Sequence, residues 1–127
     1  MAPKTKILVV EDEEDFRTIL IHLLQKEGYQ AFSAGNGEEG LKAYVKEAPD
    51  LVLLDVHLPD MTGFDICRKI RAEGPRAKTP IILCTVRSEV APVAEGLGSG
   101  ADDYVVKPFE IRDLLDRISS ALRGRQK

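Results

Sequence analysis

The sequence predicts an α/β domain with a doubly wound parallel sheet, a (βα)5 chain of five strands alternating with five helical segments. Five short apolar, β-rich runs alternate with segments of helical period. These runs are near-continuous rather than alternating, which is the pattern of strands covered by helices on both faces. The connections are tight, with no internal repeat and no low-complexity linker.

Each element can be justified in turn. The first run, Ile7-Leu-Val-Val10, leads into Phe16, Ile19, Leu20, Leu23 and Leu24, an i, i+3, i+4, i+7, i+8 stripe that Gly28 closes as a helix cap. Gln30 to Ala34 is the second strand, and Leu41, Tyr44, Val45 and Ala48 repeat the helical stripe before Pro49. Leu51-Val-Leu-Leu54 is the third strand, followed by a helix over Phe64 to Ala72 that Glu73-Gly74-Pro75 ends. Pro80 to Thr85 is the fourth strand. The fourth helical segment, Ser88 to Gly100, contains Pro92, Gly96 and Gly98, each unfavourable inside a helix, so it is expected to be short and mobile. Gly96, Gly98 and Gly100 precede a strand instead of following one, so they read as termination and turn and not as a dinucleotide-binding loop. Asp103-Tyr-Val-Val106 is the last strand, and Ile111, Leu114, Leu115, Ile118 and Leu122 form the last stripe. All these stripes are expected to be core. Right-handed crossovers in a five-stranded sheet of this kind favour the order 2-1-3-4-5.

Length and composition exclude several classes. The 127 residues make one domain, with a core expected over about residues 5–123. Eighteen basic and 21 acidic residues leave a net charge of −3, without the cationic field of a free-standing nucleic-acid binder, so no direct nucleic-acid contact is expected. Apolar runs such as Ile7 to Val10 stop far short of the ~20 residues of a membrane span, and no signal-peptide pattern precedes them. A cytoplasmic protein with no membrane contact is expected. Cys67 and Cys84, with no CxxC and no paired histidines, read as buried reduced thiols. His22 falls off its helix stripe and reads as a surface residue.

In a doubly wound sheet, ligands bind outside the carboxyl ends of the strands, where strand order reverses. Here strand one ends in Glu11-Asp12, strand three in Asp55, strand four in Thr85 and strand five in Lys107. Taken singly, each has a plain reading. Acids opening a helix are favoured by its dipole, Asp55 can start a solvated loop, Thr85 suits a strand, and Lys107 can be a solvated charge. Their joint placement points to a site. Three converging carboxylates need a cation between them or raised pKa values, and an oxygen-rich set open to water suits Mg2+. A lysine and a hydroxyl beside them supply what a phosphoryl group requires.

The spans Ile7-Leu-Val-Val-Glu-Asp-Glu13, Leu53-Leu-Asp-Val-His-Leu-Pro-Asp-Met-Thr-Gly63 and Gly100-Ala-Asp-Asp-Tyr-Val-Val-Lys-Pro-Phe109 closely resemble the receiver domains of bacterial two-component response regulators. The resemblance covers nearly the whole chain and is to the chemotaxis-regulator-like, flavodoxin-like (βα)5 fold. It implies that Asp55 accepts a phosphoryl group from a phosphohistidine on a sensor histidine kinase or phosphotransfer protein. It further implies that Glu11, Asp12, Asp55 and the main-chain carbonyl of His57 hold Mg2+, and that Lys107 contacts the phosphoryl oxygens. Thr85 is then the switch hydroxyl, Tyr104 the ring that follows it, and Lys107–Pro108 a cis peptide bond. On this reading the chain modifies only itself and is no metabolic enzyme. Its output is a surface made by the fourth helical segment, the fifth strand and the last helix, offered to an output partner or to a second copy in a phosphorylation-dependent dimer.

Val86 departs from the family, which usually carries a small residue there, and its β-branch narrows approach to the site. It is the one feature favouring a rival, a phosphorylation-independent interaction module on the same fold. A phosphate-ester hydrolase on a related sheet is disfavoured because His57 stands where a second acid would be needed. The charges Arg68, Lys69, Arg71, Arg76, Lys78, Arg123, Arg125 and Lys127 are expected to be scattered on the surface.

Overall fold

A computed structural model describes residues 4–72, 78–86 and 100–125. Its strands are β1 (Lys6–Val10), β2 (Gln30–Ala34), β3 (Leu51–Asp55), β4 (Ile81–Val86) and β5 (Asp103–Lys107). The helices are α1 (Glu14–Lys26), α2 (Gly37–Glu47), α3 (Gly63–Arg71) and α4 (Ile111–Arg125). All strands are parallel, in the order β2-β1-β3-β4-β5, as the sequence predicts. The expectation of a short fourth helical segment over Ser88 to Gly100 falls outside the described residues, apart from Gly100. That glycine has φ +126°, in keeping with a turn before β5.

Alternation along the central strands divides the core in two. Leu8, Val10, Val52, Leu54, Ile81 and Leu83 face α2 and α3, meeting Tyr44, Ile66, Cys67 and Ile70. Ile7, Val9, Leu51, Leu53, Ile82 and Cys84 face the other way, onto Leu20 and Leu24 of α1 and Leu114 and Ile118 of α4. Burial on both faces therefore holds for β1, β3 and β4. It does not hold for β2 and β5, which are the sheet's edges and have one buried residue each, Ala34 and Val105.

Three members of the helical stripes are not core: Ile19, Val45 and Ala48, the last an exposed C-cap beyond the end of α2. Ile19 is 55% exposed and Val45 63% exposed, because each lies at the margin of a stripe wider than the sheet beneath it. The end of α1 follows its sequence signal closely. Gly28, with φ +94°, donates its N–H to Gln25 O and the Tyr29 N–H reaches Leu24 O, the paired bonds of a Schellman cap. Both cysteines are buried and unpaired by disulfide, and burial pushes the Cys67 thiol up to about 11 and the Cys84 thiol up to about 12. His22 is exposed.

Arg71 is a correction to the expected scatter of surface charge. From the end of α3 its guanidinium donates to Gly100 O (2.8 Å), Thr79 O (2.6 Å) and Asp102 Oδ2 (2.9 Å), and the same Asp102 oxygen accepts the Ile81 N–H (2.8 Å). It stitches α3 to the amino edges of β4 and β5.

Candidate functional site

The carboxyl edge of the sheet collects the expected residues. Register pairs Val10 with Leu54, so the residues that follow them, Glu11 and Asp55, emerge side by side. Asp55 is the last residue of β3 and pairs with Cys84, which puts the next residue of β4, Thr85, at the same edge. Lys107 ends β5 opposite Val86, and its bond to Pro108 is cis. The strands β3 and β5 each run one residue further than the apolar runs alone indicate, because backbone pairing continues through Asp55 and Lys107, and β4 is shifted by one residue from the expected Pro80 to Thr85.

The loop after Asp55 is built to hold it. An antiparallel bridge joins His57 to Thr62, and the Gly63 N–H bonds back to Val56 O at 2.8 Å. Thr62 and Asp65 form a reciprocal capping box that starts α3 directly beneath the acid. Gly63 is required by contact, since a Cβ there would lie 2.7 Å from the Asp55 carbonyl oxygen. At the far side of the loop Asp60 accepts the N–H groups of Gly37 (2.8 Å) and Glu38 (2.9 Å), tying the loop to the start of α2.

Glu11, Asp12 and Asp55 can bring one carboxylate oxygen each to within 4.8 Å of one another. Glu11 and Asp55 are buried and Asp12 is exposed. Burial acts to raise the Glu11 pKa, but the Lys107 ammonium at 2.6 Å and the Glu13 N–H at 3.1 Å outweigh it, and the carboxyl is held below its ordinary value. Asp55 is served less well. The Lys107 Nζ is 3.6 Å from its Oδ2, and the His57 N–H is 3.3 Å from its Oδ1. Burial dominates there; Lys107 works against it, neighbouring Glu11 adds to it, and the Asp55 carboxyl is pushed up to about 7. Burial acts to lower the Lys107 pKa, but the bond to Glu11 and the charge of Asp55 outweigh it and hold the ammonium above its usual range. One ammonium thus faces three acids, and a hard divalent cation fits this all-oxygen set.

Thr85 is buried, and its hydroxyl donates to Val86 O at 3.3 Å, a long bond that leaves it weakly held. Tyr104 is half-buried beside Leu83 on β5 and packs against the α2–α3 side of the core. His57 is exposed, with its main chain at the loop's first turn. Val86 is 45% exposed at the tip of β4. Glu11, Asp12, Asp55, His57, Thr85 and Lys107 therefore stand at or next to this edge, whereas Tyr104 lies further back along β5, opposite Leu83. Three neighbours escape a reading by strand ends. Arg17 donates to Glu11 O at 2.7 Å, Asp60 caps α2, and the ring of Phe16 lies 4.8 Å from the Lys107 Nζ. The helical stripe marks Phe16 only as core, and nothing local to Lys107 points to it.

The family model for the response regulator receiver domain matches residues 7–119. The chain belongs to this family. The receiver domain is 47% identical over 124 residues to a probable transcriptional regulator, ycf27, of Pyropia yezoensis, covering 98% of this chain and 50% of that protein. It is 43% identical to the sensory transduction protein RegX3 of Mycolicibacterium smegmatis, covering 94% and 51%. The chain thus spans about half the length of the curated relatives it matches. Among solved structures, it is similar to a putative response regulator of Chloroflexus aurantiacus at a TM-score of 0.90 and 30% identity, covering 95% of this chain and 99% of that one. The chemotaxis response regulator CheY4 of Vibrio cholerae gives 0.87 and 32%, covering 94% and 99%. Receiver domains belong to two-component signalling. Among the described residues, no helix is long and apolar enough to cross a membrane.

Proposed function

We propose that this receiver domain takes a phosphoryl group onto Asp55 from a phosphohistidine on a sensor histidine kinase or phosphotransfer protein, with Mg2+ held at the same edge. The observation that carries this reading is the convergence of Glu11, Asp12 and Asp55 within 4.8 Å beside one ammonium. Glu11, Asp12, Asp55 and the main-chain carbonyl of His57 would hold the ion. When bound, Mg2+ supplies positive charge to offset the carboxylates and the incoming phosphoryl oxygens.

The chain's own residues do the rest. Asp55 presents its carboxylate from a rigid strand end, and the His57 N–H limits its rotation. The O–P bond forms at Asp55 as the P–N bond of the donor breaks and the histidine leaves. Such transfer runs through a loose transition state, so placement and charge matter more than the low nucleophilicity of a carboxylate. Lys107, within 4 Å of both Glu11 and Asp55, is placed to turn toward the developing charge.

The product adds nearly two negative charges at the sheet edge. Thr85, weakly bonded to Val86 O, is free to re-aim its hydroxyl at the phosphoryl oxygens, and Tyr104 follows into the room it leaves. The surface of β5 and α4 then changes its preference for an output partner. The domain modifies itself and acts in the cytoplasm as a switch; it turns over no metabolite. Its net charge of −3 leaves any nucleic-acid contact to a partner or to an attached segment.

The test is intact mass after incubation with acetyl phosphate and Mg2+. The unsubstituted domain should gain one phosphoryl group, and Asp55→Asn or a chelator should abolish the gain. Equal gain by Asp55→Asn would place the acceptor elsewhere and overturn the reading.

A further inference from the structure

Lys107 is held by more than its two acids. Its Nζ lies 4.8 Å from the centroid of the Phe16 ring, inside the range of a cation–π contact. Phe16 in turn packs edge-on against Phe109, with centroids 5.7 Å apart and planes at 61°. Both rings are half-buried. Phe16 comes from the first turn of α1, while Lys107 and Phe109 flank Pro108 after β5, so the contact joins two elements at opposite ends of the chain.

This arrangement does something the ion pairs do not. Glu11 accepts Lys107 at 2.6 Å, and that bond alone would draw the ammonium toward β1 and away from Asp55, 3.6 Å away. A ring face offers attraction without a directional hydrogen bond, so the ammonium stays over the ring while its N–H donors exchange partners. An aliphatic residue of similar volume fills the same space and offers no such attraction.

We propose that Phe16 is a positioning residue for Lys107, its ring a floor that keeps the ammonium beside Asp55 as its hydrogen-bond partners change. The proposal rests on the reading of Asp55 as phosphoryl acceptor. It assigns no chemistry to Phe16 itself, which acts through Lys107. With acetyl phosphate as donor, the O–P bond forms at Asp55, the bond from phosphorus to the acetyl oxygen breaks, and acetate leaves. Lys107 faces the negative charge gathered around phosphorus, so a displaced ammonium slows the step at saturating donor more than it weakens donor binding.

The experiment compares the unsubstituted protein, Phe16→Leu and Phe16→Tyr by the rate of phosphoryl gain with acetyl phosphate and Mg2+. The proton shifts of the Lys107 ε-methylene are recorded by NMR on the same samples without donor. Phe16→Leu should slow the saturated rate about threefold to tenfold, the size of a partly solvated cation–π contact. It should also remove the upfield ring-current shift of the Lys107 ε-protons. Phe16→Tyr, which keeps the ring, should restore both. A Leu variant with unsubstituted rate and shift overturns the proposal, as does a Tyr variant as slow as Leu. Thermal melts exclude unfolding as the cause of slowing, and the ring-current shift decides the placement even if a variant is destabilised. If the unsubstituted protein gains no phosphoryl group while the Lys107 shift still follows the ring, the reading of Asp55 fails and the positioning of Lys107 stands.

Discussion

At the amino edge of the sheet one guanidinium serves three oxygen acceptors, while at the carboxyl edge one ammonium faces three carboxylates. Arg71 closes the first cluster with bonds to Gly100, Thr79 and Asp102, and the Asp102 carboxylate is itself engaged by the Ile81 N–H. Lys107 closes only half of the second. It neutralises Glu11 well enough to hold that carboxyl below its ordinary value, whereas Asp55 is pushed up to about 7. Each edge sets one long basic side chain against oxygen acceptors from neighbouring elements, Arg71 of α3 at one and Lys107 of β5 at the other. What separates a stitch from a site is the balance of charge, and the carboxyl edge is left with an excess that an incoming cation can relieve.

The comparison can be broken at either edge. The largest effect is expected from Lys107→Met, which removes the ammonium and should slow phosphoryl uptake from acetyl phosphate about a hundredfold, the scale of losing one preorganised electrostatic contact. A time course of intact mass checks it. Arg71→Met should do the opposite. It should cost about 2–3 kcal/mol of stability, measured by urea unfolding, because three charge-assisted bonds are lost. Uptake by the folded protein should stay near its original rate. A loss of uptake without a loss of stability in Arg71→Met would erase the distinction between the edges. A smaller effect is expected at Asn36, whose side chain caps α2 by accepting the Glu39 N–H at 2.8 Å. Asn36→Ala should cost about 1 kcal/mol in the same urea experiment and leave uptake unchanged.

Much of this was legible in the sequence because the signals are local. Near-continuous runs mark β1, β3 and β4, and the polar residue that ends each run marks the site: Glu11, Asp55 and Thr85. Gly28 marks the end of α1 for reasons contained within a few residues. What escaped depends on partners remote in the chain. Arg71 reads as one more surface cation until Gly100 and Asp102 are folded against it. Ile19 and Val45 fit a helical stripe, yet whether the margin of a stripe is covered depends on the width of the sheet below. Phe16 fits the same stripe, and its contact with Lys107 arises only when β5 reaches the start of α1. The preference of Lys107 for Glu11 over Asp55 is likewise a matter of ångströms that no spacing encodes.

The most direct test of the charge excess is the thermal midpoint of the unsubstituted domain and Asp55→Asn, measured in chelator and in Mg2+ at about pH 5 and about pH 8. A folded-state pKa near 7 against the ordinary 3.8 means that the folded protein holds this proton more tightly than the unfolded chain. Its contribution is therefore favourable at low pH and is lost as pH rises through that window. In chelator, the unsubstituted domain should lose stability between the two pH values, and Asp55→Asn should lose less and melt higher at about pH 8. Mg2+ should raise the unsubstituted domain well above its chelated value and raise Asp55→Asn much less. An unsubstituted domain as stable as Asp55→Asn in chelator at about pH 8, or an equal response of both to Mg2+, would contradict the claim that the carboxyl edge carries an excess charge centred on Asp55.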